Sequence, residues 1–246
     1  MLKRYKNFIN EKKYTSKHLN KKFWDDNLEF DENVEKKLVD IANDFYETLD
    51  IDLPIVDIHL TGSMANFNYT KNSDLDVHIL IDFDKYDGEK ETLNKLLRTK
   101  AFVWNLKHNI IIRDSDVELY VQDSSEKHIA TGLYSLKNSE WIKKPEYTDP
   151  EVDDKDVESK FNKWKFEINK IYESLNDEEL TEEESKEYYE RTEKLKDKLR
   201  KFRRKGLNDE GEFSVENITF KELRNDGWIN KLYKSNVSFY DKIYSQ

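Results

Sequence analysis

No cysteine occurs anywhere in the chain, which excludes disulfides, zinc–thiolate centres and cysteine nucleophiles. Proline and glycine are scarce, three and six among 246 residues. That disfavours an all-β design with its many tight turns and favours long helices. No apolar run approaches the roughly 20 residues of a membrane span. The lysine-rich start also lacks the apolar core of a secretory signal. The expectation is a soluble, cytoplasmic protein with no membrane partner.

What is present is charge and aromatic volume. Charged residues make up 38% of the chain and hydrophobic residues 36%, with 14 Tyr, 13 Phe and 5 Trp. The aromatics are enough to build a real core, so global disorder is not expected. A net charge of -10 argues against a generic polyanion binder. The charge is uneven, however. Residues 1–23 hold eight Lys/Arg against one Glu, and KLKDKLRKFRRK, 194–205, holds eight against one Asp. Such runs are solvated helix faces or patches for RNA, DNA or nucleotide phosphates. Charge alone leaves both open.

The first half reads helix, strand, strand, helix, strand. DENVEKKLVDIANDFYETL spaces Val34, Leu38, Ile41, Phe45 and Leu49 at three- and four-residue steps behind an acidic first turn, which predicts an amphipathic helix. Pro54 breaks it, and IVDIHL predicts a strand. LDVHILIDF predicts a second strand, too apolar for a solvent edge. KETLNKLLRTKAFVWNL predicts a helix, and IIIRDSDVELYVQD either two short β segments or one interrupted strand. HIATGLYS, His128 to Ser135, reads either as a loop leading into Trp141 or as part of a site.

From about residue 151 the pattern becomes helical. Phe161, Trp164, Ile168, Ile171 and Leu175 share one face. Thr181 and Glu184 form a capping box that opens a helix carrying Tyr188, Leu195, Leu199 and Phe202. Gly206 to Gly211 reads as a loop, followed by a short helix from Ser214 to Gly227 and a last aromatic helix. The expectation is an α+β chain: an α/β lobe over 1–150 with a small mixed sheet and N-terminal helices, then an all-α lobe over 151–246.

One strand carries an oddity. Along LDVHILID, alternation puts Asp74, Asp76 and His78 on one face and Leu75, Val77, Ile79 and Ile81 on the other. Two like-charged carboxylates on one face repel unless a cation lies between them. Mg²⁺ takes oxygen ligands, commonly two carboxylates completed by phosphate oxygens and water. Gly62-Ser63 ends the preceding apolar strand. Glycine there admits close backbone approach, and serine offers a hydroxyl and an N–H to phosphate.

Gly62-Ser63 followed by Ser73-Asp74-Leu75-Asp76-Val77 resembles the signature of the polymerase-beta-like nucleotidyltransferase superfamily, over roughly residues 51–123. The chain also has the general look of a phage-encoded nucleotidyltransferase. The resemblance implies nucleotide binding at Gly62, Ser63 and Ser73, and metal ligation by Asp74, Asp76 and a third carboxylate on DVELYV. Asp116 and Glu118 share a face there. Glu118, flanked by Val117 and Leu119, is preferred, although many members carry aspartate. The implied cofactor is Mg²⁺ or Mn²⁺, and the implied substrate is an NTP, ATP favoured. His78 reads as structural or as a neighbour of metal or phosphate. Lys160 and Lys163 read as solvated or as phosphate contacts.

The acceptor stays open: an RNA or oligonucleotide 3′ end, a second nucleotide, a protein hydroxyl or a small molecule. Two other classes remain beside the enzyme. One is a nucleotide-binding regulatory module without turnover, which has little need of paired metal-binding acids. The other is a purely helical interaction protein, for which the motif would be coincidence.

Overall fold

A computed structural model of the chain describes residues 14–127, 130–176 and 180–245. The chain is α+β, with a six-stranded mixed sheet, flanking helices and a C-terminal helical region. It divides into two compact units, Met1–Asp149 and Pro150–Gln246. Among the described residues no helix is long and apolar enough to cross a membrane.

In the first unit, residues 14–31 form turns, bends and one isolated bridge, Trp24 to Phe30. The basic stretch 1–13 lies outside the described residues. Helix α1, Glu32–Glu47, starts where Asp31 accepts the N–H groups of Asn33 and Val34, satisfying two donors that a helix start leaves open. Arg113 clasps the same carboxylate at 2.6 Å and holds it well below the usual carboxylate range. Strands β1 (Ile55–Thr61) and β2 (Leu75–Ile81), helix α2 (Lys90–Lys107), strands β3 (Ile111–Ile112) and β4 (Ser115–Asp123) follow. IIIRDSDVELYVQD is thus two strands. They are joined through Arg113 and Asp114, both at positive φ, as a two-residue hairpin turn requires.

Two further strands, β5 (Leu133–Ser135) and β6 (Glu140–Lys143), complete the sheet in the order β3-β4-β2-β1-β5-β6. They correct the expectation of a loop before Trp141. Each is too short for alternation to register, and it is pairing with β1 that makes β5 a strand. His128, part of the same expected segment, lies outside the described residues.

One face of the sheet is apolar. Leu75, Val77, Ile79 and Ile81 of β2, Val117, Leu119 and Val121 of β4, and Ile58 and Leu60 of β1 pack against α1 and α2 through Val34, Leu38, Phe45, Leu93 and Leu97. β2 lies between β1 and β4, as an apolar strand should. β4 would present an open edge along much of its length. Asn105 of α2 covers part of it, donating Nδ2 to Leu119 O at 2.9 Å and accepting Leu119 N–H at 3.0 Å. The amide stands in for a neighbouring strand.

The second unit holds α3 (Asp154–Glu173), α4 (Glu182–Asp209), α5 (Val215–Asn225) and α6 (Trp228–Tyr244). The capping box forms, with Thr181 Oγ1 accepting Glu184 N–H and Glu184 accepting Thr181 N–H. Trp164, Ile168, Leu199, Leu223, Leu232 and Phe239 make a separate core. The loop expected from Gly206 is helix as far as Asp209. Gly206 is there because α5 begins against it: a Cβ would lie 2.5 Å from Glu216 Cβ and 2.6 Å from Ser214 Oγ. Glycine in an exposed helix interior normally gives up about 1 kcal/mol relative to alanine. Here the crowding reverses the sign. Gly206→Ala is expected to lower the melting temperature. A rise in a thermal melt followed by circular dichroism would show that the contact gives way freely.

Candidate metal centre

Parallel pairing of β2 with β4 sets the site. The register places Asp76 beside Glu118, His78 beside Tyr120 and Leu80 beside Gln122. Antiparallel pairing with β1 adds Thr61 opposite Asp76 and His59 opposite His78. The face of the sheet away from α1 and α2 therefore carries two polar rows. One runs Thr61, Asp76, Glu118, and the other runs Ser135, His59, His78, Tyr120.

Asp74, just ahead of β2, joins the first row. One carboxylate oxygen from each of Asp74, Asp76 and Glu118 lies within 4.8 Å of the others, and all three side chains are half-buried. Oxygen ligands at roughly 2.0–2.6 Å from a shared divalent cation stand about 3–5 Å apart, the spacing of this cluster. The donor set is oxygen only, which suits a hard cation. Asp116 is exposed, pairs across to Ile111 and lies outside the cluster. Parity alone could not separate it from Glu118; burial does. Tyr120 O–H donates to Glu118 Oε2. Burial pushes that phenol well above its ordinary range, and the Glu118 bond adds to the effect. Tyr120 therefore stays protonated and holds one Glu118 oxygen in place.

Gly62 takes φ 73° and ψ −159°, backbone that L side chains rarely adopt. A Cβ there would also overlap the Asp76 carboxylate. The backbone thus passes directly against a metal-ligand candidate. Ser63 opens a short 3₁₀ turn to Ala65, and its Oγ lies 2.7 Å from Ser73 Oγ. Ser73 is 5% exposed and accepts Thr70 N–H at 2.9 Å, so it fixes Ser63 from beneath. Trp24 Nε1 donates to Met64 O at 2.9 Å, and Ser16 N–H donates to Phe67 O at 2.7 Å. The loop after Gly62 is held by the segment that precedes α1.

His78 Nδ1 sits 2.8 Å from Gln122 Oε1 and so carries its proton there. Burial lowers its pKa, and it is a neutral neighbour of the acids in the row behind them. Asp57 gathers His59 Nε2 at 3.0 Å, Ser135 Oγ at 2.7 Å and Ile58 N–H at 2.7 Å. Ser135 belongs to the HIATGLYS segment singled out above and Tyr120 and Gln122 share the parity of Glu118, whereas His59 carried no signal in the sequence. Lys160 pairs with Asp156 and Glu216, and Lys163 is exposed on α3.

A cavity of about 730 Å³ opens beside Glu118, where α2 meets β4. Arg98, Phe102 and Leu106 line it from the helix, and Tyr120 and Gln122 from the strand. Compared with protein-family models, curated proteins and solved structures, the chain matches none.

Two outcomes follow from the geometry. Asp76→Asn removes one of three crowded like charges, so it should raise the melting temperature measured in chelator. If the cluster holds Mn²⁺, the unaltered chain should gain about 2.7 kcal/mol at a hundredfold excess over Kd, and the same change should abolish that upward shift. An equal Mn²⁺ shift in both proteins would place the ion elsewhere. The second outcome concerns His59, which is 4% exposed. Burial lowers its pKa from the ordinary 6.5 against the pull of Asp57. The unfolded chain then binds the proton first, so stability falls as pH drops through about 6.5. His59→Gln should reduce the slope of melting temperature against pH in that window, the remainder belonging to His78, whose pKa burial also lowers; an unchanged slope would exclude His59 as a contributor.

Proposed function

We propose that the chain is a metal-dependent nucleotidyltransferase that moves a nucleoside monophosphate from a nucleoside triphosphate to an acceptor hydroxyl and releases pyrophosphate. The observation that carries this reading is the convergence of Asp74, Asp76 and Glu118 against the Gly62-Ser63 turn. A strand pair that only packs a core has no use for three adjoining carboxylates on its open face, because their repulsion costs stability.

Mg²⁺ or Mn²⁺ would be held by those three carboxylates. When bound, such an ion neutralises phosphate charge and eases loss of the attacking hydroxyl's proton. The remaining work falls to the chain. Ser63 presents a hydroxyl and a backbone N–H to the departing phosphates, in a turn kept rigid by Ser73 and Trp24. Gly62 lets the phosphates come close to the backbone. Glu118, oriented by Tyr120, takes the acceptor's proton. The bond from the acceptor oxygen to the α-phosphorus forms as the bond from that phosphorus to its bridging oxygen breaks. The electron pair leaves with pyrophosphate. Positioning and fixed charge supply most of the rate in such a transfer. The cavity beyond Glu118 supports an approach of the acceptor from the β4 edge.

Incubation with α-labelled nucleoside triphosphates, Mg²⁺ or Mn²⁺ and a panel of nucleotide, RNA, protein and small-molecule acceptors tests this. The expected result is a labelled product with one pyrophosphate released per transfer. Asp74→Asn and Asp76→Asn should each lower the rate by roughly 10²-fold or more, with melting curves that still report a folded chain. Tyr120→Phe should cost far less. Undiminished transfer by the double aspartate variant, or no pyrophosphate with any acceptor, would overturn the assignment.

A further inference from the structure

We infer that a groove between α3 and α4 binds single-stranded nucleic acid. Its observations are separate from the carboxylate site. The groove, about 300 Å³, is walled by four cations: Lys170 of α3, and Arg191, Lys194 and Lys198 of α4. Glu167 is the one carboxylate among its lining residues, and it lies 3.9 Å from Lys198. Among the described residues, Lys170, Arg191 and Lys194 make no ion pair. In a chain of net charge -10, this is a local reversal of sign.

Neighbouring cations show that the reversal is not simply a property of the basic run 194–205. Lys196 is buried and bonded to Glu193 and Asn236. Lys201 pairs with Asp197 at 2.7 Å. Arg203 donates to Asn217 and lies over the Phe220 ring. Lys196 and Arg203 are consumed in packing the second unit, and Lys201 is tied to a carboxylate of its own helix. Lys194 and Lys198 instead continue the helix face begun by Arg191, at steps of three and four residues. From Arg191 to Lys198 that face runs about 10 Å along the axis, longer than a single phosphate group and suited to successive phosphates of one strand.

The second observation is aromatic. Phe166, 70% exposed, stands on the same wall as Lys170, one helical turn away. Ile171 and Leu195 form a buried apolar floor. An exposed ring beside a row of cations fits unstacked bases on a phosphate backbone. Duplex bases stack on one another and leave such a ring without a partner. Binding in this groove does not rest on the transfer proposed above.

Fluorescence anisotropy with the full chain in chelator tests the groove without turnover. The probes are labelled RNA and DNA single strands of about twelve nucleotides, the corresponding duplex, and vesicles containing phosphatidylserine. Either single strand should bind more tightly than the duplex or the vesicles, and log Kd should rise with log salt by about 0.7 per phosphate neutralised. Joint replacement of Lys170, Arg191 and Lys194 by Ala should weaken binding at least tenfold and reduce that slope by about two. Phe166→Ala should weaken binding with the slope unchanged. Lys201→Ala, which breaks only an exposed pair, should change neither. Helical circular dichroism confirms that each variant is folded. Absence of single-strand binding, indifference to the triple replacement, or preference for vesicles or duplex would overturn the proposal. The Asp74→Asn, Asp76→Asn chain should bind as the unaltered chain does, so a groove without transfer and transfer without a groove are distinguishable results.

Discussion

Side-by-side placement of Asp76 and Glu118 across the β2–β4 pair is the constraint around which the first unit is organised. Like charges directly opposite in a sheet oppose the pairing that brings them together, and Asp74 adds a third. What holds the pair is the reverse face of the same strands, where Leu75, Val77, Val117 and Leu119 are buried against α1 and α2. Hydrophobic burial of that kind contributes about 1.5–3 kcal/mol per large side chain. The pairing therefore persists with the acids half-exposed on the other face. A parallel pair cannot close with a tight turn; β2 and β4 are joined through α2, and the crossover sets the helix against the β4 edge.

The turn after β1 depends on the same acids. Gly62 runs so close to Asp76 that only a residue without a side chain fits, and its positive φ turns Ser63 into the start of the 3₁₀ segment. Rigidity comes from elsewhere in the chain. Trp24 and Ser16 grip the loop from the N-terminal side, and Ser73 ties it to the start of β2. The Trp24 ring is itself stacked on Trp141 and set edge-on to Tyr134. The aromatic abundance of this chain thus has a use: it fixes a loop that lacks regular secondary structure.

In the second unit, the sorting of charge matters more than its amount. Of the basic residues in α4, some are spent on carboxylates, amides and rings, and others line the α3–α4 groove. Neighbours in sequence thus differ in role because a helix turns them to different faces. Gly206, placed under the start of α5, lets that helix close on α4.

Periodicity alone determined the long elements. The apolar steps of α1, α3 and α4 and the alternation of β2 were legible because each buries one stripe or one face, and burial demands a repeat. Asp74 and Asp76, just ahead of β2 and near its start, were legible for the same reason, since alternation fixes which residues share a face. Tertiary structure decided the rest. β5 and β6 are too short to carry a pattern and exist by pairing. Gly206 reads locally as a breaker but serves a helix contact made by residues 214 and 216. Glu118 and Asp116 have the same parity, and only the register with β2 and the hairpin to β3 set one among the acids and the other in solvent. The Asp57–His59–Ser135 cluster and the α3–α4 groove join residues far apart in the chain. Local sequence encodes which face a side chain takes; which faces meet is fixed only when the whole chain buries its apolar surface.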